Sequence, residues 1–341
     1  MYAVRKCLPK PLLDIFLADP LSPAAVAKTK KTADALVTYG ALVIKDSRIN
    51  EEDNENFLDL LENYFAQSEE IIKKDVHKKW AYQVGVMPEL TLKLKCIFEE
   101  SCMDIIEKLD PNKRPLDVSE CPSDSKIRFF WKMSTPPPYE MEFPLSSILN
   151  IILDAFANVW QTMLETWGNT LKTNVAELAT LGFGLPHLVF TNMAKYGPHL
   201  LGPTSNNLAK HGKENTCRTI HGHACYPGLH IWACNTGKRM SVKIPPGKFM
   251  LVQAGKQFEY LTGRYIRPGC HKVVINDQTV DYPDCPLIHI SSTFFWHLSS
   301  DFTLEPIHKL AIRVPEDEKG KTQYPPIKVG AQKVKVSNIQ R

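Results

Sequence analysis

The sequence predicts an α+β protein in which a helical N-terminal half precedes a C-terminal half built as a sandwich or barrel of the jelly-roll type. Two observations support this fold class. Up to about residue 187, apolar residues recur at helical spacing. From there on, short apolar runs are separated by Gly, Pro, Asn and Asp, as in GLHIWA, FMLVQ and KVVIN. Many short strands that follow a helical half are typical of a jelly roll.

The first part of the chain is expected to contain two helices and a strand. A helix over residues 24–36 precedes a short buried strand, ALVIKDS, which follows Gly40. Phe57, Leu61 and Tyr64 then recur on one helical face, and acidic residues cluster ahead of the first turn, where the helix dipole favours them.

The middle of the chain is predicted to be an irregular connection followed by two more helices. Residues 110–145 are rich in proline, which is typical of a linker or a surface loop. Apolar residues over 149–163 follow a 3-4-3-4 rhythm, which predicts a helix with one continuous apolar face. A further helix is expected over residues 175–183, ending near Gly184.

Composition excludes several classes of function. The 341 residues carry a formal net charge of only +4 without an arginine-rich face, so no nucleic-acid partner is expected. The nine cysteines include no Cys-x-x-Cys pair, and their odd number argues against a closed disulfide framework. The apolar stretch LLDIFL near the N-terminus is interrupted by Asp14 and is too short for a signal peptide or a membrane span. We therefore expect a cytoplasmic protein that has no membrane partner.

A long series of motifs carries a family resemblance. The main segments are YGPHLLGPT (196–204), PGLHIWACNTGKRMSVKIPPGKFMLVQAGKQFEYLTG (227–263) and GCHKVV (269–274). AYQVGVMPEL and RFFWKMSTPPPYEMEFP extend the match upstream, and YPPIKVG extends it into the tail. In this order they closely resemble the isopenicillin N synthase-like oxygenases of the non-haem iron and 2-oxoglutarate dioxygenase superfamily. The resemblance covers nearly the whole chain.

The resemblance implies a distorted double-stranded β-helix that is backed by helices from the N-terminal half. It divides the chain into a helical N-terminal region (1–110), a proline-rich linker with backing helices (111–187), the oxygenase domain (188–313) and a C-terminal tail (314–341). It also implies chemistry. Fe(II) is held by a His-x-Asp pair and a distal histidine, and open positions remain for oxygen and substrate. An Arg-x-Ser pair further along binds a carboxylate of the 2-oxoglutarate co-substrate or of the substrate.

Two of the family's functional positions are matched at least in part. His271, in GCHKVV, matches the distal iron ligand, although a buried histidine held by hydrogen bonds is the alternative interpretation. At the Arg-x-Ser position Ser291 is present, but His289 stands in place of the arginine. The bidentate grip on a carboxylate is thereby lost, so we expect weak binding of 2-oxoglutarate. For Ser291, a plain serine at a sheet edge is the alternative.

The main departure from the family lies at the His-x-Asp position. Relatives carry this pair between a segment like KENT and one like TIHG, whereas this chain passes from Thr216 directly to Cys217. No His-x-Asp or His-x-Glu occurs between residues 187 and 270, so two of three iron ligands are missing and one core strand is expected to be truncated. His221 and His223 alternate as strand neighbours on one face would and are substitute ligands, but the glycine between them favours a turn.

Three functional hypotheses follow. The first is an oxidoreductase of the iron and 2-oxoglutarate family that acts on a small molecule and is impaired by the missing ligands, with Fe(II) and 2-oxoglutarate as its implied cofactors. The second is a non-catalytic β-helix module that binds a protein partner at the edge left by the missing strand. The third is a splice or gene-model variant of an active oxygenase. The sequence names no catalytic residue, substrate or oligomeric state.

Overall fold

The computed structural model describes most of the predicted core. It covers residues 19–78, 82–91, 103, 106–107, 109–111, 126–143, 176–207, 229–233, 237–242, 244, 248–273 and 288–332. The α-helices are α1 (Pro23–Tyr39), α2 (Glu51–Phe65), α3 (Glu69–Ile72), α4 (Leu178–Gly182), α5 (Val189–Met193), α6 (Lys256–Leu261) and α7 (His308–Ala311). Short 3-10 helices span Lys73–Asp75 and Glu316–Glu318. Within these ranges, no helix combines the length and the apolar character needed to cross a lipid bilayer.

The strands are short, as the punctuated sequence pattern predicts. They are β1 (Ala41–Lys45), β2 (Gly85–Met87), β3 (Ile127–Lys132), β4 (Leu200–Leu201), β5 (Thr204–Asn207), β6 (Leu229–Trp232), β7 (Arg239–Ser241), β8 (Phe249–Gln253), β9 (Cys270–Val273), β10 (Ile288–Ser291), β11 (Phe294–Phe295), β12 (Thr303–Leu304) and β13 (Ile327–Lys328).

These strands pair antiparallel throughout. The largest sheet has the order β10-β5-β3-β4-β11, and β2 also pairs with β3. A second sheet has the order β7-β6-β9, and β1 pairs with β8. The C-terminal β12 and β13 form a separate ribbon. Short antiparallel strands that curl around one interior agree with the predicted jelly-roll core. The strand expected to be truncated falls in residues 208–228, outside the described residues.

Local sequence explains where α1 begins and ends. The Ser22 hydroxyl accepts a hydrogen bond from the backbone N–H of Ala25, and Pro23 occupies the first helical position. The helix ends at Gly40, whose φ of 64° is readily adopted by glycine and whose N–H donates to the Leu36 carbonyl. The predicted helix over residues 24–36 is confirmed, and the caps extend it by a few residues.

The helices cover the outer faces of the strands. α1, β1, β8 and α6 share the largest apolar cluster, which includes Leu36, Leu42, Val252 and Leu261. Phe57 and Leu61 of α2 form a second cluster against the sheet that contains β3. Two apolar layers therefore hold the helices on the β-structure, and the remaining faces of the strands turn to the interior.

One stretch differs from the sequence prediction. Residues 110–145 are expected to be irregular because they are rich in proline, yet IRFFWK within them forms β3, a central strand of the largest sheet. The segment itself contains no proline, so every residue can take part in the sheet's hydrogen bonds. The helix predicted over residues 149–163 lies outside the described residues. The helix expected over 175–183 is found as the shorter α4.

Candidate functional site

Alternation along β3, β5 and β10 gives their sheet two different faces. Ile127 and Phe129 of β3 and Ile290 of β10 pack into the cluster around Phe57 of α2. Because successive residues of a strand point to opposite sides, the residues between them point away from α2. We call this opposite side the inner face. Its members on β3, β5 and β10 include Arg128, Phe130, Lys132, Thr204, Asn206 and Ser291, and Lys126 precedes β3 on the same side.

The inner face differs between its two ends. At one end Met87, Phe130 and Leu200 form a buried apolar cluster, and the buried Lys132 lies opposite Leu200 in the register of β3 and β4. At the other end, Arg128 lies opposite Thr204 in the register of β3 and β5. Continuing this register by one residue places Lys126 beside Asn206. Directly opposite residues of an antiparallel pair have Cβ atoms about 5 Å apart. The polar end therefore brings two cations and an amide together.

Asn206 is the least satisfied residue of this group. Its exposed fraction is 1%, and neither its Oδ1 nor its Nδ2 has a hydrogen-bond partner among the residues that the structure describes. A buried amide that makes no hydrogen bond costs free energy, so native proteins seldom keep one without a further partner. Thr204 differs, because its hydroxyl donates to the Gly202 carbonyl at 3.2 Å.

His271 lies on β9, at the position predicted for the distal iron ligand. Its backbone pairs with Ile231 of β6, and Ile231 packs against Leu229 and Val43. Burial and the positive charge of Lys126 lower the pKa of His271 to about 4, although a backbone hydrogen bond with Gly269 opposes the shift. The imidazole is therefore neutral at pH 7, which is the form that binds metals.

The neighbouring histidine on β6 has different surroundings. His230 alternates with the buried Leu229 and Ile231, so it projects from the other side of the strand. Its ring lies edge-on to that of Trp232, with a centroid distance of 6.5 Å. His230 is thus close to His271 in the fold, but the two side chains lie on opposite faces of the sheet that contains β6 and β9.

β10 carries the position of the family's Arg-x-Ser pair. His289 lies opposite Asn206 in the ladder, and Ser291 lies opposite Thr204. β10 is an outer strand of its sheet among the strands described, as the sheet-edge interpretation of Ser291 expects. The serine is nevertheless buried, with an exposed fraction of 2%. The roles of His289 and Ser291 in binding a co-substrate stay predictions.

The residues that the structure describes do not by themselves fit an iron ion. Among them, no group of three or more His, Cys, Asp and Glu side chains is placed to hold a metal. His271 offers one nitrogen ligand, but the nearby charge of Lys126 repels a dication. His221 and His223, the substitute ligands, lie in residues 208–228, outside the described part of the chain.

Lys126 and Asn206 are the site residues that sequence reasoning missed. Their importance depends on the pairing of β3 with β5, and these strands are separated by a long stretch of chain. A weak sequence indication does exist. In KIRFFWK, cationic residues recur at every second or fourth position, which is the spacing of one face of a strand.

Comparison with known proteins identifies the fold. No protein-family model and no curated protein sequence matches the chain. A 2OG-Fe(II) oxygenase family protein from Caulobacter crescentus superposes with a TM-score of 0.66 and 16% identity, over 92% of this chain and 95% of its own. A full-length Neurospora crassa protein in complex with alpha-KG and thymine gives a TM-score of 0.64 and 15% identity, over 95% and 94% of the two chains. The dioxygenase for auxin oxidation in rice gives 0.61 and 12%, over 94% and 93%.

The chain therefore has the fold of the 2OG-Fe(II) oxygenase family, with its jelly-roll core. This confirms, at the level of the fold, the resemblance seen in the sequence. Identities of 12–16% establish no activity, so function has to be argued from the site.

Proposed function

We propose that this protein is a non-haem iron, 2-oxoglutarate oxygenase-like oxidoreductase of the isopenicillin N synthase-like family whose iron site is impaired. His271 carries the proposal. It occupies the distal-ligand motif on β9 of an oxygenase fold, while the sequence has no His-x-Asp pair ahead of it. Metal affinity depends on several ligands that are oriented before the metal arrives, so a lone imidazole holds Fe(II) weakly.

The implied cofactors and substrate class follow from the relatives. JOX2, which shares 12% identity with this chain at a TM-score of 0.60, was crystallised in complex with 2OG, Fe and JA. The Neurospora crassa protein was crystallised with alpha-KG. These complexes support Fe(II), 2-oxoglutarate and a small-molecule substrate as the ancestral set. The protein partner at a strand edge and the splice-variant hypothesis stay predictions, and no finding favours them.

Anaerobic titration with Fe(II) tests the proposal. We expect the full chain to show no saturable binding up to about 100 μM iron, because two ligands are missing. The same titration on His271→Ala should then be indistinguishable from the wild type. His230→Ala is the matched control, because it removes a neighbouring histidine from the other side of the adjacent strand.

Stoichiometric micromolar binding that disappears in His271→Ala and survives in His230→Ala would show a working site and overturn the claim of impairment. Binding that survives in His271→Ala but disappears in His221→Ala or His223→Ala would show that the ligands were assigned to the wrong histidines.

A further inference from the structure

A proline-rich segment lies on the surface directly after β3 and Met133. Residues 134–140 read STPPPYE and form neither helix nor strand, and we call them the proline segment. Most of their side chains are exposed, and the ring of Tyr139 has an exposed fraction of 50%. The oxygenase chemistry considered above makes no use of this segment.

The three consecutive prolines restrict the backbone of the segment. A proline ring fixes φ near −65° and removes the backbone N–H, and the residue before a proline is confined to extended conformations. Thr135, Pro136 and Pro137 each precede a proline. Such a sequence favours the left-handed polyproline helix, which has three residues per turn. In that helix Pro136 and Tyr139 lie on the same edge.

The proline segment is held at both ends and makes no hydrogen bond between them. At its start, the backbone N–H of the buried Met133 donates to the His199 carbonyl at 3.0 Å. Beyond its end, Met141 is buried and the N–H of Phe143 donates to the Asp301 carboxylate at 3.3 Å. Within the part of the chain that the structure describes, no hydrogen bond joins the proline segment itself to another residue. A segment that is already extended and exposed loses little conformational entropy when a partner binds it.

A second tyrosine next to prolines shows what a structural role looks like in this fold. In Tyr324-Pro325-Pro326 the Tyr324 hydroxyl donates to the Glu259 carboxylate at 2.7 Å, and the Pro325 carbonyl accepts from the Tyr260 hydroxyl. Tyr139 has only an edge-on contact with the ring of Tyr196, at a centroid distance of 5.9 Å. The tyrosine of the proline segment is therefore much less tied to the fold.

The order of the residues indicates the kind of partner. Polyproline helices are bound in aromatic-lined grooves by modules such as SH3 and WW domains. SH3 domains bind two prolines that are separated by two residues, a spacing that the proline segment lacks. One class of WW domain binds Pro-Pro-x-Tyr, with the prolines against aromatic rings and the tyrosine in an adjacent pocket. Pro136-Pro137-Pro138-Tyr139 has this order.

We propose that the proline segment is the docking site of a protein that carries a WW domain. Pro136 and Pro137 lie against the aromatic rings of the groove, and Tyr139 leaves Tyr196 and enters the adjacent pocket. The exposed Glu140 next to the tyrosine favours a groove with a basic rim. This inference goes beyond the proposed function, because it concerns the outer surface and needs no iron.

Surface plasmon resonance of the full chain tests the inference. The probe is an immobilised WW domain of the class that binds Pro-Pro-x-Tyr, whose activity is checked with a reference peptide of that pattern. An SH3 domain on a second surface is the comparison. We expect saturable binding of the full chain to the WW domain with a Kd of about 1–100 μM, and none to the SH3 domain.

Two variants test the residues. Tyr139→Ala and Pro137→Ala should each raise the Kd at least about tenfold, because each removes a group that enters the groove. Pro326→Ala is the matched control, because it removes an exposed proline beside the other tyrosine, and it should bind like the wild type. Thermal unfolding shows which variants are folded, and either of the two suffices if the other does not fold.

Absence of saturable binding of the full chain up to about 500 μM would overturn the proposal. A synthetic peptide of residues 131–142 that binds while the full chain does not would do the same, since the fold would then conceal the motif. Equal binding to the SH3 domain, or wild-type affinity in the folded Tyr139→Ala or Pro137→Ala variant, would also contradict it. None of these results depends on whether the chain holds iron.

Discussion

At the scale of single residues, His271 shows how the interior controls a side chain. An ordinary histidine titrates near 6.5, whereas burial and the charge of Lys126 lower the pKa of His271 to about 4. Between these two values the unfolded chain binds a proton that the folded chain excludes. The free energy of unfolding therefore falls as the pH falls from 6.5 to about 4, and this contribution is fully present above pH 6.5.

We predict that His271→Gln has a shallower acid dependence of stability than the wild type. The shift in pKa from 6.5 to about 4 corresponds to roughly 3.5 kcal/mol over the whole window, because each unit corresponds to roughly 1.4 kcal/mol. Urea unfolding of both proteins at pH 7 and at pH 4.5 measures the difference. His308→Gln controls for removal of a histidine from the surface. If the free energy of unfolding falls equally between pH 7 and pH 4.5 in the wild type and in His271→Gln, His271 titrates normally in the folded protein.

The sequence alone predicted some residues of the candidate site and missed others. His271 was predicted as an iron ligand because it stands in a local motif, GCHKVV, whose residues are contiguous in the chain, and that role stays a prediction. Lys126 and Asn206 were not found, because the pairing of β3 with β5 joins residues that are distant in the chain. Hydrogen-bond satisfaction depends on every neighbour in space, so no local pattern could show that the Asn206 amide is buried without a partner.

At the scale of secondary-structure elements, the contact between α1 and α4 depends on a glycine. A Cβ atom placed on Gly182 of α4 would lie 2.3 Å from the carbonyl oxygen of Thr29 and 2.9 Å from Cβ of Ala33, both in α1. The two helices would have to separate to admit even an alanine. The close approach thus explains why a glycine, which is otherwise a poor helix former, ends α4.

We predict that Gly182→Ala lowers the free energy of unfolding by about 1–3 kcal/mol, as overpacking of a tight contact does. Gly255→Ala is the matched control, since a Cβ there meets no atom within 4 Å and the φ of Gly255 is −103°. Its effect should stay below about 1 kcal/mol. Chemical unfolding measures both variants, and equal losses would show that the α1–α4 contact does not constrain residue 182.

The sequence predicted the ends of an element well where capping residues and hydrophobic periodicity agreed. α1 is an example, because Ser22 and Gly40 mark its two ends. β3 is the opposite case: the prolines around it predict an irregular loop, whereas pairing on both sides makes it a central strand. Tertiary pairing therefore outweighed local composition in this stretch.

At the scale of the whole molecule, we propose that the chain keeps the oxygenase fold without a complete iron site. The fold depends on apolar layers on both sides of the strands, which this chain has. The family's iron chemistry depends on three inward ligands, and His271 is the one residue that the sequence predicts at a matching position. The inner face of the largest sheet also carries Asn206, whose buried amide has no hydrogen-bond partner among the described residues.

The metal content of the full chain, purified after expression with added iron, tests the central claim most directly. Elemental analysis should find far less than one iron per chain, because a single imidazole does not retain Fe(II) through purification. One tightly held iron per chain, released only by a chelator, would contradict the account and show that the chain supplies a complete set of ligands.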